Sequence, residues 1–404
     1  MQISHRQLFF QHVAQTSDFP LALEIDKAEG VYMYGTDGKK YLDLISGIGV
    51  SNVGHRHPKV LEAIYRQLGK HMHLLVYGEF IQSVQVKLAT ALAGTLALPA
   101  ADQSPFGKID NIYFTNSGTE AIEGAMKLAK RFTGRSEFIS CQNAYHGATQ
   151  GALSLSGAEF FKRSFRPLLP GNTQIRHGNL DDLEKITTRT AAVVIEIIGG
   201  ESGVRIQDSN YFRQLRSRCT ETGTLLILDE VQTGFGRTGS FWAFEQFDIY
   251  PDILISAKGM GGGMPIGAFM ASSQVMAVLK HNPVLGHITT FGGHPVSCAA
   301  SLAALEITLE NTLAQKSLKK GQLFKDLLKH AAIKEVRGLG LMLAAEMESF
   351  EKLKKTIDQC IERGVVTDWF LFCDNSMRIA PPLIISEEQI REGCAVIIDV
   401  LNNS

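Results

Sequence analysis

No stretch of this chain stays apolar long enough to span a membrane. The N-terminal residues 1–16 are polar, and their apolar cluster at 8–10 is too short for the core of a signal peptide. Charge of one sign is also missing. Forty Lys and Arg stand against 41 Asp and Glu, a formal net charge of −1, so no basic surface for nucleic acid or anionic lipid is expected. The six cysteines (Cys141, Cys219, Cys298, Cys360, Cys373 and Cys394) are scattered without a C-x-x-C. That speaks against a disulfide framework and for inert thiols in a reducing compartment, hence a cytoplasmic protein. His55 and His57 lie close together but lack a third ligand nearby, so no metal is expected. There is no internal repeat or low-complexity tract.

What is present is a chain of 404 residues, 45% hydrophobic and 20% charged, long enough for more than one domain and a large core. Residues 224–267 organise it. Two short apolar runs, 225–228 and 253–255, have the length and flanking breakers of buried strands. The first ends on Asp229 and Glu230, and the second is followed by Lys258 and a glycine run. Open α/β sheets bind ligands at the carboxyl ends of such strands. A lysine there can form a Schiff base and an aspartate can hold a pyridinium nitrogen, which is the layout of a pyridoxal-phosphate site.

Other segments fit around this centre. The strand at 112–115 leads into Asn116, Ser117, Gly118, Thr119 and Glu120, where Ser117 and Glu120 have capping-box spacing. This is either simply a capped helix or an anion site made by its free N–H groups and dipole. The strand at 137–141 is followed by Tyr145, which can stack on a flat ring or merely pack. Glu196 interrupts the apolar run 191–198 and Glu201 follows it; a carboxylate there needs a partner, catalytic or structural. The glycines at 234, 236 and 239 and at 261–263 do not open a long helix after a strand, so the dinucleotide fingerprint fails. Strands near 112, 137, 191, 224, 253 and 267 predict an α/β fold around a mostly parallel sheet. The spacing further predicts helices over 59–71, 211–222 and 297–309. A C-terminal region follows, as helix 316–331, strand 336–347, helix 350–363, a short strand at 377–380 and a last helix capped by Ser386 and Gln389.

The motifs D-E-V-Q-T-G-F-G-R-T-G (229–239) and A-K-G-M-G-G-G-M-P-I-G-A (257–268) resemble the class III aminotransferases of the ornithine, acetylornithine and 4-aminobutyrate type. N-S-G-T-E-A (116–121), Y-H-G (145–147), G-H-R-H-P (54–58), T-T-F-G-G-H-P (289–295) and R-I-A-P-P-L (378–383) extend the resemblance along nearly the whole chain, in family order. It implies the type I pyridoxal-phosphate transferase fold, with a large cofactor-binding domain over 59–296. A smaller α+β domain would be built from residues 1–58 and 297–404. It implies a ping-pong aminotransferase that carries an amino group, the terminal (ω) amine of the donor, to a 2-oxo acid. An aminomutase or racemase on the same scaffold is the alternative.

By resemblance Lys258 is the Schiff-base lysine and Asp229 the pyridinium partner. Gly118 and Thr119 bind the phosphate and Tyr145 stacks on the ring. Gln232 can reach the phenolic oxygen, while Ser117, His146, Glu196 and Val231 complete the cofactor set. Thr290 would reach the phosphate in the other subunit of a homodimer with shared sites. Arg378 matches the arginine that grips a substrate carboxylate, and Glu201 the acid that pairs with it and swings aside. Ile48 and Thr289 would also face substrate. The sequence departs from the family at Ala148, where several members carry an arginine for a second carboxylate, and at Ile48, where ornithine-type enzymes have a tyrosine.

Overall fold

The computed structural model describes residues 3–96, 104–247 and 249–403. Its centre is a sheet of seven strands. In spatial order these are Asn111–Thr115, Gly267–Ala271, Ile253–Ser256, Leu225–Asp229, Thr190–Glu196, Glu137–Cys141 and Asn172–Ile175. The Gly267–Ala271 strand runs antiparallel to both neighbours; every other pairing is parallel. The continuous apolar runs occupy the middle because a strand covered on both faces must be apolar on both. Alternation divides them between two cores. Val193, Ile195, Leu226, Leu228 and Leu254 face one layer, and Ala192, Val194, Leu225, Ile227, Ile253 and Ile255 the other.

The second layer is built on the helix Gly118–Thr133, whose Ala121, Ile122, Ala125, Leu128 and Ala129 sit on one buried stripe. Gly124 lets this helix approach the sheet, since a Cβ there would lie 2.3 Å from the Phe269 ring. The first layer takes in the helices Ser83–Thr95 and Ser209–Thr222.

A third apolar cluster joins the two ends of the sequence. Val31, Leu42, Leu44, Val53 and Val60 pack with residues such as Phe324, Leu343, Ile357 and Ile397. The strand Lys40–Asp43 pairs in parallel with Val365–Val366. The helix Pro295–Glu310 is buried along most of its length and contributes Cys298 and Leu305 to the first core and Ala300, Ala304 and Ile307 to the third.

Most expected elements form, with instructive differences. The region 336–347 is a hairpin of Glu335–Leu339 and Met342–Glu346, turned at Gly340, whose φ of +57° suits glycine. The expected helices over 59–71, 297–309, 316–331 and 350–363 are Pro58–Leu68, Pro295–Glu310, Leu313–Leu327 and Phe350–Glu362. The short strand at 377–380 is the end of a longer one, Cys373–Ile379. The last helix, Glu387–Asn402, has the full Ser386–Gln389 capping box. Ser117 caps its helix through the Glu120 N–H, but the Glu120 carboxylate turns to the backbone and side-chain nitrogens of Asn116, so the box is not reciprocal. No helix among the described residues is long and apolar enough to cross a membrane.

Candidate active site

The register of the central strands sets three groups side by side. Asp229 lies opposite Glu196 on one flank and opposite Ile255 on the other. Three residues beyond Ile255, Lys258 begins a short 3-10 turn. Lys258 takes φ +45°, a left-handed conformation that a lysine adopts only where its surroundings hold it. A cavity of about 510 Å³ opens over these strand ends. Lys258, Asp229 and Glu196 line it, as do Val231 and Gln232 just past the strand. Across it stands the start of the Gly118–Thr133 helix, through Ser117, Gly118 and Thr119. Tyr145, His146 and Glu201 complete the expected residues that reach it.

Each group is held from behind. Asp229 Oδ1 accepts the Val231 N–H at 3.0 Å, and Oδ2 accepts from His146 Nδ1 at 2.8 Å. Burial opposes protonation of His146, but the bond to Asp229 and the charges of Asp229 and Glu196 outweigh it and raise its pKa. Glu196 accepts backbone N–H groups, from Gly200 at 3.1 Å and Tyr145 at 3.3 Å. Burial pushes its carboxyl up to about 7. Lys258 is shifted down, chiefly by desolvation, which favours the neutral amine a nucleophile requires. Thr119 Oγ1 lies 2.8 Å from Thr149 Oγ1. Gly147, at φ +130°, leaves room for it, since a Cβ there would come within 2.2 Å of the same oxygen.

Arg378 does not line the cavity. It is buried behind Glu201, which accepts from Nη1 at 2.9 Å and from Nη2 at 3.1 Å. Burial works against the Glu201 carboxylate, yet the neighbouring Arg378 and its hydrogen bonds hold it below its ordinary pKa. Ile48, Thr289 and Thr290 also stay outside the lining. Ile48 is partly exposed in a kinked turn at φ +62°, and Thr290 is exposed. His55 is engaged elsewhere, 2.8 Å from the buried carboxylate of Asp43. Glu230, next to Asp229, points away from the cavity and accepts from Ala243 N, Phe244 N and Thr233 Oγ1. Sequence reasoning missed the wall formed by Val50, Met264, Pro265 and Ile266, whose apolar side chains carry no chemical signal of their own.

The donor set fits pyridoxal phosphate. An amine and a carboxylate sit on neighbouring strand ends, and a helix start offers N–H groups without intrahelical partners. Gly118 keeps that start close to the ring-side residues, as a Cβ there would meet the Val231 methyls at 3.0 Å. The fold is that of the type I pyridoxal-phosphate enzymes, and the protein depends on this cofactor.

Residues 13–401 match the class-III aminotransferases, and the chain belongs to that family. It is 38% identical over 398 residues to an acetylornithine aminotransferase of Methanopyrus kandleri, covering 97% of both chains. The ornithine aminotransferase of Toxoplasma gondii ME49 has a similar structure, with a TM-score of 0.89 at 30% identity, covering 100% of this chain and 96% of that one. So has an amine transaminase from an uncultivated Pseudomonas species in its PLP-bound form, with a TM-score of 0.86 at 25% identity over 97% and 98% of the two chains.

Proposed function

We propose that this aminotransferase takes the terminal amine of an ornithine-, acetylornithine- or 4-aminobutyrate-like donor and passes it to a 2-oxo acid, by a ping-pong mechanism. The observation that carries the reading is the meeting of Lys258 and Asp229 in one cavity with a helix start suited to an anion, and Glu201 on its wall paired with Arg378 buried behind it. Bound pyridoxal phosphate supplies an electron sink for the charge left when a proton departs from the amine-bearing carbon. Lys258 would hold the cofactor through its amine and, as a free amine, would accept and return that proton. Asp229, fixed by His146, would face the cofactor's ring nitrogen and favour a proton there. Tyr145 would cover the ring, Gln232 would meet the phenolic oxygen, and Ser117, Gly118 and Thr119 would hold the phosphate.

Glu201 neutralises Arg378 while the ω-amine end of a donor reacts, then moves aside so that Arg378 can take the carboxylate of a 2-oxo acid. Lys258 is the sole Lys or Arg among the described residues lining the cavity, and Ala148 is also part of its wall. A second carboxylate therefore finds no guanidinium at that position, which favours donors and acceptors with a neutral or amine-bearing far end. We further infer a homodimer with shared sites, in which Thr290 reaches the partner's phosphate and Thr289 and Ile48 line the substrate path. The exposure of Thr290, away from its own cavity, supports this. A smaller unit built from both ends of the chain is supported by the apolar cluster they share, which also takes in Val60.

The test is a visible spectrum of the purified holoenzyme with single donors: ornithine, acetylornithine, 4-aminobutyrate, lysine and a plain diamine. One or more of these bleaches the yellow band, and a 2-oxo acid restores it. Turnover of one substrate with no acceptor would instead indicate an aminomutase or racemase.

A further inference from the structure

The arginine behind Glu201 is held on more sides than the exchange with Glu201 requires. The short strand Asp368–Phe370 pairs antiparallel with Cys373–Ile379, and its register puts Asp368 opposite Arg378. All three residues of that strand contact the guanidinium. Asp368 Oδ1 accepts from Nε at 2.9 Å, and the Trp369 carbonyl accepts from Nη2 at 3.0 Å. The Phe370 ring centroid lies 4.4 Å from the guanidinium carbon. The residue that follows restrains the acid, with Leu371 N–H donating to Glu201 Oε2 at 3.1 Å.

These contacts divide the guanidinium into two edges. Asp368 occupies Nε, Glu201 occupies the fork of Nη1 and Nη2, and the Trp369 carbonyl shares Nη2. An incoming carboxylate matches that fork bidentately and can replace Glu201 atom for atom. When Glu201 leaves, the other partners determine whether the fork keeps facing the cavity. A buried guanidinium that loses a charged partner turns toward whatever acceptors remain. The Phe370 ring face supports the plane of the guanidinium but does not fix rotation within that plane.

We propose that Asp368 is a positioning residue for acceptor binding, anchoring Nε of Arg378 so that the Nη1–Nη2 edge stays presented while Glu201 is exchanged for the substrate carboxylate. This rests on Arg378 being the carboxylate grip. Asp368 touches no reacting atom. It acts through Arg378, in the half-reaction in which the carboxylate is bound there. Donors without a carboxylate react with Glu201 still paired, so their half-reaction does not draw on Asp368.

The experiment compares Asp368→Ala, Asp368→Ser, Asp368→Asn and Arg378→Ala as holoenzymes. A plain diamine is the donor in single turnovers, and pyruvate is the acceptor in the return half-reaction. Calorimetric binding of pentanoate, a carboxylate without amine or keto group, gives a reading independent of turnover. Asp368→Ala and Asp368→Ser raise the KM for pyruvate and the Kd for pentanoate by about tenfold or more, the effect of one lost hydrogen bond to a charged group. The diamine half-reaction stays within about twofold. Asp368→Asn, which keeps an oxygen for Nε, recovers most of the acceptor affinity. Equal losses with donor and acceptor, or unchanged pentanoate affinity in folded Ala and Ser variants, overturn the proposal. If Arg378→Ala itself leaves acceptor and pentanoate affinity intact, the carboxylate-grip reading fails instead. If only Arg378→Ala weakens them, that reading stands and the role of Asp368 falls.

Discussion

His146 Nδ1 lies 2.8 Å from Asp229 Oδ2, with both side chains almost wholly withdrawn from solvent. The other Asp229 oxygen is taken by the Val231 N–H, so the carboxylate is fixed at both ends before any ligand arrives. The imidazole Nε2 is buried and has no partner among the described residues, so the ring is oriented chiefly by Asp229.

His146→Phe keeps the volume of a ring and removes the donor. The Asp229 carboxylate then keeps only the Val231 N–H bond and would meet the cofactor nitrogen less consistently. The expected result is a fall in kcat of about ten- to a hundredfold, with thermal stability changed far less. Stopped-flow rates of the donor half-reaction check this; a rate equal to wild type would remove His146 from the account.

Ala148 is exposed on the cavity wall and offers no charge to a second substrate carboxylate. Ala148→Arg should lower the KM for 2-oxoglutarate by about tenfold, with little change for pyruvate, which has no second carboxylate. Steady-state kinetics with the two acceptors in parallel measure the ratio. An unchanged ratio would mean that the far end of the acceptor does not point toward residue 148.

Glu230 supplies a test in pH. Its carboxyl accepts three donors, but burial dominates and pushes it from 4.5 up to about 7. A folded-state pKa raised above the unfolded value means that the protonated group stabilises the fold. That stability is full below about pH 4.5 and is lost as pH rises through about 7. Its size is on the order of 1–3 kcal/mol. Glu230→Gln cannot titrate, so the melting difference, wild type minus variant, should be larger near about pH 5 than near about pH 8. A constant difference would show that Glu230 stays ionised throughout.

Which parts of this architecture could be read in advance follows from where the signals lie. The strands Leu225–Asp229 and Ile253–Ser256 were legible because burial on both faces demands unbroken apolar runs. Lys258 and Asp229 stood out because charged residues end those runs. The edge strand Asn172–Ile175 was not legible: its sequence, N-T-Q-I, is mostly polar, and only Ile175 is fully buried. The helix Ser83–Thr95 was also missed, since its apolar and polar residues are mixed around the axis and only Leu88 and Leu92 are buried. Arg378 and Glu201, 177 positions apart, could be joined only through family resemblance. Asp368 had no such signal, because its role arises from a cross-strand register that the spacing along the chain does not display.

Everything proposed for the site depends on Lys258 as the cofactor's attachment point. That attachment is tested most directly by loading the protein with pyridoxal phosphate, reducing with borohydride and mapping the modified peptide by mass spectrometry. One pyridoxyl-modified lysine, Lys258, is expected, with loss of both the label and the transaminase activity in Lys258→Ala. A label on another lysine, or full activity in Lys258→Ala, would contradict it.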